Sequence, residues 1–300
     1  TRRAFLLRYR FPSALETFVC AENGDPFLPA LLLPAMRTHE VLEIQAPISP
    51  RLLRSIGEIQ RVYTRWDSRL SAVRVKAPVR EGCSSSPRVG VLHRGLFFSC
   101  GVDSFYSLLK NARDYQEEPE AITHLILVHG FDVHFGKRNA RLFDNVRANT
   151  ARVAQAMGMK LLPVATNVRE FSDKFADWGL LYNGAAMASV GLALESIFEK
   201  IYIAATHHKT ELLPWGSSPL LDPLWSTETL SFVHNGCEAR RVEKIRFIAQ
   251  FPIALETLRV CMTHSYSDNV YNCGSCAKCF RTMIGLHIAG ALRKCKTFPR

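Results

Sequence analysis

Downstream of about residue 90, apolar runs of strand length alternate with segments whose apolar residues recur at helical spacing. The pattern predicts four strands, at residues 95–99, 123–129, 160–164 and 200–205. It also predicts the three helices between them, at residues 105–112, 142–157 and 184–198. Such alternation is typical of a Rossmann-like α/β fold, in which a parallel sheet carries helices on both faces. In these folds, ligands bind in the loops that follow the carboxyl ends of the strands.

The first eighty residues follow a different pattern. Three short stretches are predicted to be strands: residues 4–9, 40–44 and 72–75. A helix is predicted to start at Ser49 and Pro50, with apolar residues at helical spacing after them. The next ten residues are small and polar without periodicity, as in a linker. The sequence therefore predicts a small N-terminal α+β module (1–80), a linker (81–90) and an α/β domain (91–300).

A tight turn follows the first predicted strand of the α/β domain and has the sequence Ser99-Cys100-Gly101-Val102-Asp103-Ser104. The N–H groups at the start of the next helix form an anion site, which the helix dipole reinforces. Gly101 permits close approach to the backbone, and the hydroxyls of Ser99 and Ser104 can donate to phosphate oxygens. The Asp103 carboxylate could hold Mg²⁺. The alternative is an ordinary strand–helix turn with serine and aspartate as caps.

A second motif places four cysteines near the C-terminus: Cys261, Cys273, Cys276 and Cys279. Four thiolates without an open coordination position are typical of a structural zinc site. The last cysteine begins a predicted helix that extends to residue 292. An iron–sulfur cluster is the competing interpretation, but Met283 stands where the bacterial ferredoxin spacing needs a cysteine. The motif predicts a zinc knuckle over residues 261–281.

The turn resembles the Ser-Gly-Gly-x-Asp-Ser signature of the PP-loop ATP pyrophosphatases. The resemblance implies a PP-loop (HUP-type) domain that binds ATP through residues 99–104. Such enzymes cleave ATP between the α- and β-phosphates and form an adenylated intermediate, which would make Asp103 and Ser104 catalytic. Cys100 stands where the signature has its first glycine. It is either a reactive thiol whose pKa the helix N-terminus lowers, or a small residue tolerated in the turn.

Together, the two motifs resemble those of the 7-cyano-7-deazaguanine synthases, zinc-containing enzymes of the queuosine pathway that convert a carboxylate into a nitrile. The resemblance covers about residues 91–290 and includes Arg281 after the cysteines. It implies that Lys244 matches a lysine of the family. Asn183 matches an asparagine before a long helix. The family's Tyr-Pro-Asp-Cys-Arg substrate segment is absent, so the resemblance implies the adenylation chemistry rather than the substrate.

Two further predicted strands end in candidate ATP-binding residues. His129 ends one strand, at the position where PP-loop enzymes hold adenine with backbone groups. Thr206 and His207 follow the strand at residues 200–205. Paired histidines in an exposed loop can also be simple loop polarity.

Basic residues near position 240 could neutralise the departing pyrophosphate. Arg240, Arg241 and Lys244 share a predicted helix, although the same spacing also fits a solvated basic face. Arg241 and Lys244 are the catalytic candidates. The candidates for substrate binding are Asn183, His208, Trp215 and Arg240.

The overall charge indicates anionic partners. Lys and Arg number 38 against 27 Asp and Glu, which favours nucleotide phosphates or RNA, with a solvated basic surface as the alternative. No apolar run approaches the length of a membrane span, so no membrane partner is expected. Three of the nine cysteines fall within seven residues, unlike a secreted disulfide scaffold. This spacing favours a reducing, cytoplasmic location.

These features favour an ATP-dependent ligase that activates a carboxylate or amide for attack by ammonia or another nitrogen nucleophile. ATP, Mg²⁺ and Zn²⁺ are the expected cofactors. The substrate is a small molecule or a protein or peptide terminus, and a homodimer is compatible with the sequence. Two alternatives stay open: RNA thiolation by a PP-loop enzyme that uses Cys100 or a cluster, and a nucleic-acid-binding zinc module with an inert loop.

Overall fold

The computed structural model describes residues 4–81, 92–115, 119–211, 213–262 and 270–299. Its strands, in chain order, are β1 (Tyr9–Arg10), β2 (Leu42–Glu43), β3 (Val75–Lys76), β4 (His93–Phe97), β5 (His124–His129), β6 (Lys160–Thr166), β7 (Phe198–Ala204) and β8 (Ser231–Asn235). Six of them form one mostly parallel sheet in the order β1-β6-β5-β4-β7-β8. The strands β2 and β3 form a separate parallel pair.

The register of the sheet places the turn at residues 99–104 beside the end of β5. The neighbouring strands β4 and β5 are parallel and pair Gly95 with His124. The outermost strand, β1, is antiparallel to its neighbour β6, and Tyr9 pairs with Thr166. Because β4 and β5 run in the same direction, the turn after β4 and His129 at the end of β5 lie at the same edge of the sheet.

The α-helices of the described ranges are α1 (Phe27–Thr38), α2 (Pro50–Trp66), α3 (Val102–Asp114), α4 (Lys137–Ala156), α5 (Val168–Ser172), α6 (Asn183–Leu192), α7 (Arg241–Ile248), α8 (Pro252–Thr257) and α9 (Ala277–Ile288). A π-helical turn (Trp178–Tyr182) precedes α6. Short 3-10 helices occur at Ser13–Phe18, Asp222–Trp225 and Leu292–Lys294. None of the described helices combines the length and apolar character needed to cross a membrane.

The chain divides into two compact units. Unit one comprises Thr1–His93, Ala165–Ile203 and Leu212–His234. Unit two comprises Arg94–Val164, Ala204–Glu211 and Asn235–Arg300. In unit one, the core includes α1, whose Leu28, Leu32 and Leu33 are fully buried. In unit two, one cluster of buried residues joins β5 to α4: Leu127, Val133, Leu142 and Val146.

The alternating pattern predicted the central elements well. The four strands expected after residue 90 are confirmed as β4, β5, β6 and β7, and the three helices as α3, α4 and α6. The third helix, however, ends at Leu192 rather than at residue 198. Residues after it form turns instead, with the Ile197 N–H donating to the Leu194 carbonyl at 3.0 Å, so that the chain can reverse into β7. Of the predicted linker, only Glu81 lies within the described residues.

The N-terminal eighty residues depart further from prediction. The helix starting after Ser49 is confirmed as α2, and the Ser49 hydroxyl caps it by accepting from the Leu52 N–H. The strand expected at residues 4–9 is wrong except at Tyr9. The helix α1 was not predicted, because it contains Pro34 and is apolar on every side. A helix with this pattern has no polar face to reveal its period, and it folds only where it can be buried. The division into an N-terminal module and an α/β domain stays a prediction.

Candidate functional site

The turn between β4 and α3 has the geometry of an anion site. Cys100 adopts a left-handed conformation with φ of 59°, and Gly101 follows as the N-cap of α3. Since Gly101 has no side chain, the first N–H groups of α3 receive no side-chain cap from it. A Cβ atom placed on Gly101 would lie 3.3 Å from Ser99 Oγ and 3.8 Å from Ser104 Oγ. The hydroxyls of Ser99 and Ser104 therefore lie next to the first backbone N–H groups of α3, which Gly101 leaves uncapped.

The Cys100 side chain is buried beneath the turn. Its residue is 0% exposed, and Sγ lies 3.5 Å from Thr150 Oγ1. Burial raises the pKa of Cys100 to about 11, which contradicts the expectation of a pKa lowered by the helix N-terminus. The thiol is therefore protonated at neutral pH. Cys100 is a small packed residue at a positive φ, which glycine adopts more readily than other residues do.

Asp103 is the centre of a charged cluster in unit two. Its Oδ2 accepts from Arg241 Nη1 at 3.1 Å, and its Oδ1 lies 3.4 Å from Lys244 Nζ. Lys244 is 1% exposed, and its Nζ also donates to the Ala205 carbonyl at 2.6 Å. Burial lowers the pKa of Lys244, and the Asp103 carboxylate opposes this shift. Two cations and one carboxylate thus meet at the first turn of α3.

Packing of α7 on α3 positions the two cations. The ring of Tyr106 on α3 contacts Phe247 on α7 edge-on, with centroids 5.4 Å apart. The Tyr106 hydroxyl donates to Glu238 at 2.9 Å, just before α7. The predicted solvated face is therefore wrong for Lys244. The prediction of a solvated residue fits Arg240, because its side chain is 63% exposed and pairs with Glu211. The site brings Arg241 and Lys244 together but not Arg240.

The other residues of the turn have mainly structural contacts. The Ser104 hydroxyl donates to the Gly101 carbonyl at 3.1 Å and is buried, so its proton already has an acceptor. Val102 is 1% exposed and packs in the core. Ser99 is half-buried. Of the two predicted serine donors, Ser99 is the one for which no competing side-chain hydrogen bond occurs within the described residues.

The two histidines after β7, His207 and His208, lie in different environments. His207 is half-buried, and burial lowers its pKa, while the nearby Asp103 raises it. Its imidazole is therefore neutral at pH 7, close to the charged cluster. His208 lies in the loop with Nδ1 at 2.7 Å from Thr210 Oγ1 and Nε2 at 3.1 Å from the Glu238 carbonyl. Thr206 lies between β7 and the pair and is half-buried.

His129 forms an aromatic stack at the end of β5. Its ring lies parallel to Phe143, with centroids 3.8 Å apart, and also contacts Phe135 at 4.4 Å. Burial lowers the pKa of His129, so the ring is neutral at pH 7. The stack fixes the backbone of His129 and Gly130, the groups predicted to hold adenine, at the sheet edge that also carries the turn.

Two substrate candidates belong to unit one, where they lie close together. Gly216 approaches Asn183 so closely that a Cβ on it would lie 2.5 Å from Asn183 Oδ1. That oxygen is buried without a hydrogen-bond partner among the described residues. The adjacent Trp215 packs over Gly179, where a Cβ would lie 3.0 Å from the indole ring. Glycine is required at position 216, because a Cβ there would also lie 2.6 Å from the Leu181 backbone, whereas at position 179 the indole ring would have to shift only slightly.

The four C-terminal cysteines form a compact cluster that could hold a metal ion such as zinc. All four Sγ atoms lie within 4.8 Å of one another. The separation of Cys273 and Cys279 is 3.9 Å, close to the ~3.8 Å edge of a tetrahedral zinc–thiolate site. The Cys276 N–H donates to Cys273 Sγ at 3.2 Å, and the Cys279 N–H donates to Cys276 Sγ at 3.5 Å. Backbone donors therefore orient the sulfur atoms.

The thiols of the cluster differ in acidity because they interact. Burial acts against ionisation of Cys273, but hydrogen bonds from Ser275 and Cys276 lower its pKa to about 5. Burial raises the pKa of Cys279 well above its usual value. A cation is therefore needed to stabilise four thiolates together. The helix after the cluster starts at Ala277, with Cys276 rather than Cys279 at its N-cap, and ends at Ile288 rather than at residue 292.

Sequence reasoning missed two residues that shape the site. Glu238 holds Tyr106 and Lys110, and its carbonyl contacts His208. Arg259 is 5% exposed, and its N–H donates to the Cys100 carbonyl at 2.8 Å. Neither belongs to a recognisable motif, and only the fold brings them to the turn.

No protein-family model matches the chain, and no curated protein matches it significantly.

Proposed function

We propose that the chain is an ATP-dependent adenylating enzyme of the PP-loop kind, similar to the 7-cyano-7-deazaguanine synthases. One observation carries the proposal: the uncapped turn at residues 99–104 starts α3 directly beside Asp103, Arg241 and Lys244. Backbone donors at a helix start bind phosphate, and adjacent cations stabilise the charge that develops when pyrophosphate leaves.

In the proposed reaction, a carboxylate or amide oxygen of the substrate attacks the α-phosphorus of ATP. The bond to the bridging oxygen breaks, and its electron pair leaves with pyrophosphate. Ammonia or another nitrogen nucleophile then displaces AMP from the adenylated substrate. Arg241, which is 21% exposed, can reach the departing phosphates. Lys244 is buried below and holds Asp103 in place. The protein contributes positioning and charge stabilisation.

The donor atoms present fit both expected metals. Mg²⁺ prefers oxygen ligands and would be held by Asp103 together with ATP phosphates, where it would neutralise phosphate charge. Four thiolates in a closed set suit zinc better than a hard cation. Zinc would be held by the cluster defined by Cys261, Cys273, Cys276 and Cys279, where it would contribute folding free energy.

The thiolation alternative finds less support at Cys100. A persulfide or thiolate at this position would need to reach a substrate, but the residue is 0% exposed and its thiol is protonated at neutral pH. Sulfur transfer from Cys100 is therefore disfavoured relative to attack by a nitrogen nucleophile.

Release of pyrophosphate tests the proposal. Purified protein is incubated with labelled ATP and a panel of deazapurine, peptide and natural-product acids, and released pyrophosphate is measured. At least one acid should stimulate release. Arg241→Ala should lower that rate by about 10²-fold, whereas the exposed neighbour Arg240→Ala should keep it within about twofold. A protein that neither binds ATP nor releases pyrophosphate with any acid contradicts the proposal.

A second candidate function, RNA binding, is favoured by the exposed face of α9. Lys278, Phe280 and Arg281 are all exposed on this helix, and Phe280 is 59% exposed. Exposed cations and exposed aromatic rings together are typical of single-stranded RNA sites. Fluorescence anisotropy with a labelled single-stranded RNA tests this function. Phe280→Ala should weaken binding if the face is used, and equal affinities of wild type and variant would exclude it.

A further inference from the structure

Arg259 forms one wall of the turn at residues 99–104. The backbone N–H of Arg259 donates to the Cys100 carbonyl at 2.8 Å. The backbone carbonyl of Arg259 would lie 3.8 Å from a Cβ atom added to Gly101. The next two N–H groups, of Val260 and Cys261, donate to the buried Asn272 side chain at 2.9 and 3.2 Å. The segment that carries Arg259 is therefore fixed on both sides, and the residue cannot move far from the turn.

Within the described part of the chain, no acidic side chain pairs with the guanidinium of Arg259. The residue is 5% exposed, and Nε has no hydrogen-bond partner among the described residues. Two carboxylates of the same unit are engaged by other cations: Asp103 binds Arg241 and Lys244, and Glu256 binds Arg152 and Lys296. Arginine does not lose its proton in proteins. A buried, charged group without a partner is unfavourable, so this charge calls for an anion.

The side chains that interact electrostatically with Arg259 are neutral. Cys100 is one of them, and burial keeps its thiol protonated. Tyr271 is the other. Burial raises its pKa, and its hydroxyl donates to the Thr257 carbonyl at 2.8 Å. Neither group supplies a negative charge. Their electrostatic interaction with Arg259 indicates that the guanidinium lies near the buried Cys100 thiol.

The surplus of positive charge defines the ligand. Arg259, Arg241 and Lys244 are three cations around the turn, and Asp103 is the one carboxylate among the described residues that pairs with any of them. Two positive charges are left over, which suits a polyanion better than a single carboxylate. The planar guanidinium fork also matches phosphate oxygens.

We propose that Arg259 is an anion-binding residue that holds the pyrophosphate portion of ATP at the turn, together with Arg241 and Lys244. This assignment rests on the proposed function and adds a residue to it. Under this proposal, Arg259 contributes to the affinity for ATP and for pyrophosphate but not to the recognition of the nucleoside.

Calorimetric titration of the full chain with inorganic pyrophosphate and with AMP, both with Mg²⁺, tests the assignment. Arg259→Met removes the charge and keeps the length of the side chain, and Arg259→Lys keeps the charge without the fork. Both should weaken pyrophosphate binding by about 10- to 100-fold, the range for hydrogen bonds to a charged partner. AMP affinity should change less than about twofold. The exposed residue Arg147, in α4, provides the matched control Arg147→Gln.

Thermal unfolding without ligand gives an independent readout. Because the charge of Arg259 is uncompensated, Arg259→Met should melt at or above the wild-type temperature, and pyrophosphate should raise its melting temperature less than that of wild type. A lower melting temperature together with wild-type pyrophosphate affinity would assign Arg259 a structural role and overturn the proposal. Equal weakening of AMP and pyrophosphate would also overturn it. If wild type binds neither ATP nor pyrophosphate, the proposed function fails as well. If wild type binds and Arg259→Met and Arg259→Lys bind equally, the role of Arg259 alone fails.

Discussion

Replacing Asp103 by asparagine should destabilise the folded protein, whatever its function. The substitution preserves the size of the side chain but removes the carboxylate that faces Lys244 at 3.4 Å. Arg241 also loses its partner, but it is 21% exposed and can turn to solvent. Lys244 is 1% exposed, so its ammonium group cannot turn to solvent. The cost therefore comes from the buried ammonium.

Two limits bound the size of the effect. The Coulomb attraction between unit charges at 3.4 Å is about 5 kcal/mol with an effective dielectric constant of ~20. Alternatively, Lys244 can lose its proton, which for an amine of ordinary pKa 10.5 costs about 5 kcal/mol at pH 7. The Ala205 carbonyl keeps its hydrogen bond to Lys244 in the variant. We therefore expect the free energy of unfolding to fall by about 2 to 4 kcal/mol.

The pH dependence of this loss has a definite sign. Burial holds the folded-state pKa of Lys244 below 10.5, so the unfolded chain binds more protons between the two pKa values. Stability therefore rises with pH across that interval. Removing Asp103 lowers the folded-state pKa further and extends the interval to lower pH. The deficit of Asp103→Asn should be complete below the variant's Lys244 pKa and should vanish once pH exceeds the wild-type value.

Urea unfolding followed by tryptophan fluorescence at pH 7 and near pH 10 measures both quantities. Asp144→Asn removes a carboxylate that is 64% exposed and serves as the matched control. The double variant Asp103→Asn/Lys244→Met should recover much of the lost stability, because it removes both partners of the pair. A loss below about 0.5 kcal/mol at pH 7, or an equal loss at both pH values, would refute the reasoning.

Further predictions concern the cysteines. The purified protein should contain about one zinc per chain without visible absorption, and Cys276→Ser should aggregate or lose zinc while Cys20→Ser keeps it. Stoichiometric iron, or a stable, zinc-loaded Cys276→Ser protein, would contradict this assignment. Cys100 should resist thiol reagents in the folded protein, because it is fully buried with a raised pKa. Cys100→Gly should keep stability within about 1 kcal/mol and retain ATP–pyrophosphate exchange, whereas Cys100→Val should be less stable because a β-branched residue is strained at positive φ. A Cys100→Gly protein that folds but has lost exchange would show that the sulfur takes part in the chemistry.

Local patterns in the sequence were sufficient for the central elements. The alternation of strand-length and helix-length segments identified β4 to β7 with α3, α4 and α6, because each period reports directly which side of an element is buried. The cysteine spacing identified the four-cysteine cluster that could hold a metal for a similar reason, since Cys-x-x-Cys brings two thiols together within a single turn. The start of α2 at Ser49 could also be predicted from neighbouring residues alone.

Tertiary structure decided which charges the site contains. From the sequence, Arg240, Arg241 and Lys244 were equivalent basic residues, but packing of α7 on α3 exposes the first and buries the last against Asp103. Arg259 is 156 positions from Asp103 and belongs to no motif; only folding places it beneath Cys100. The charge state of Cys100 was likewise undecided, because a helix N-terminus lowers a thiol pKa and burial raises it. Burial raises the pKa of Cys100, and desolvation depends on the whole surrounding core, which no local pattern in the chain records.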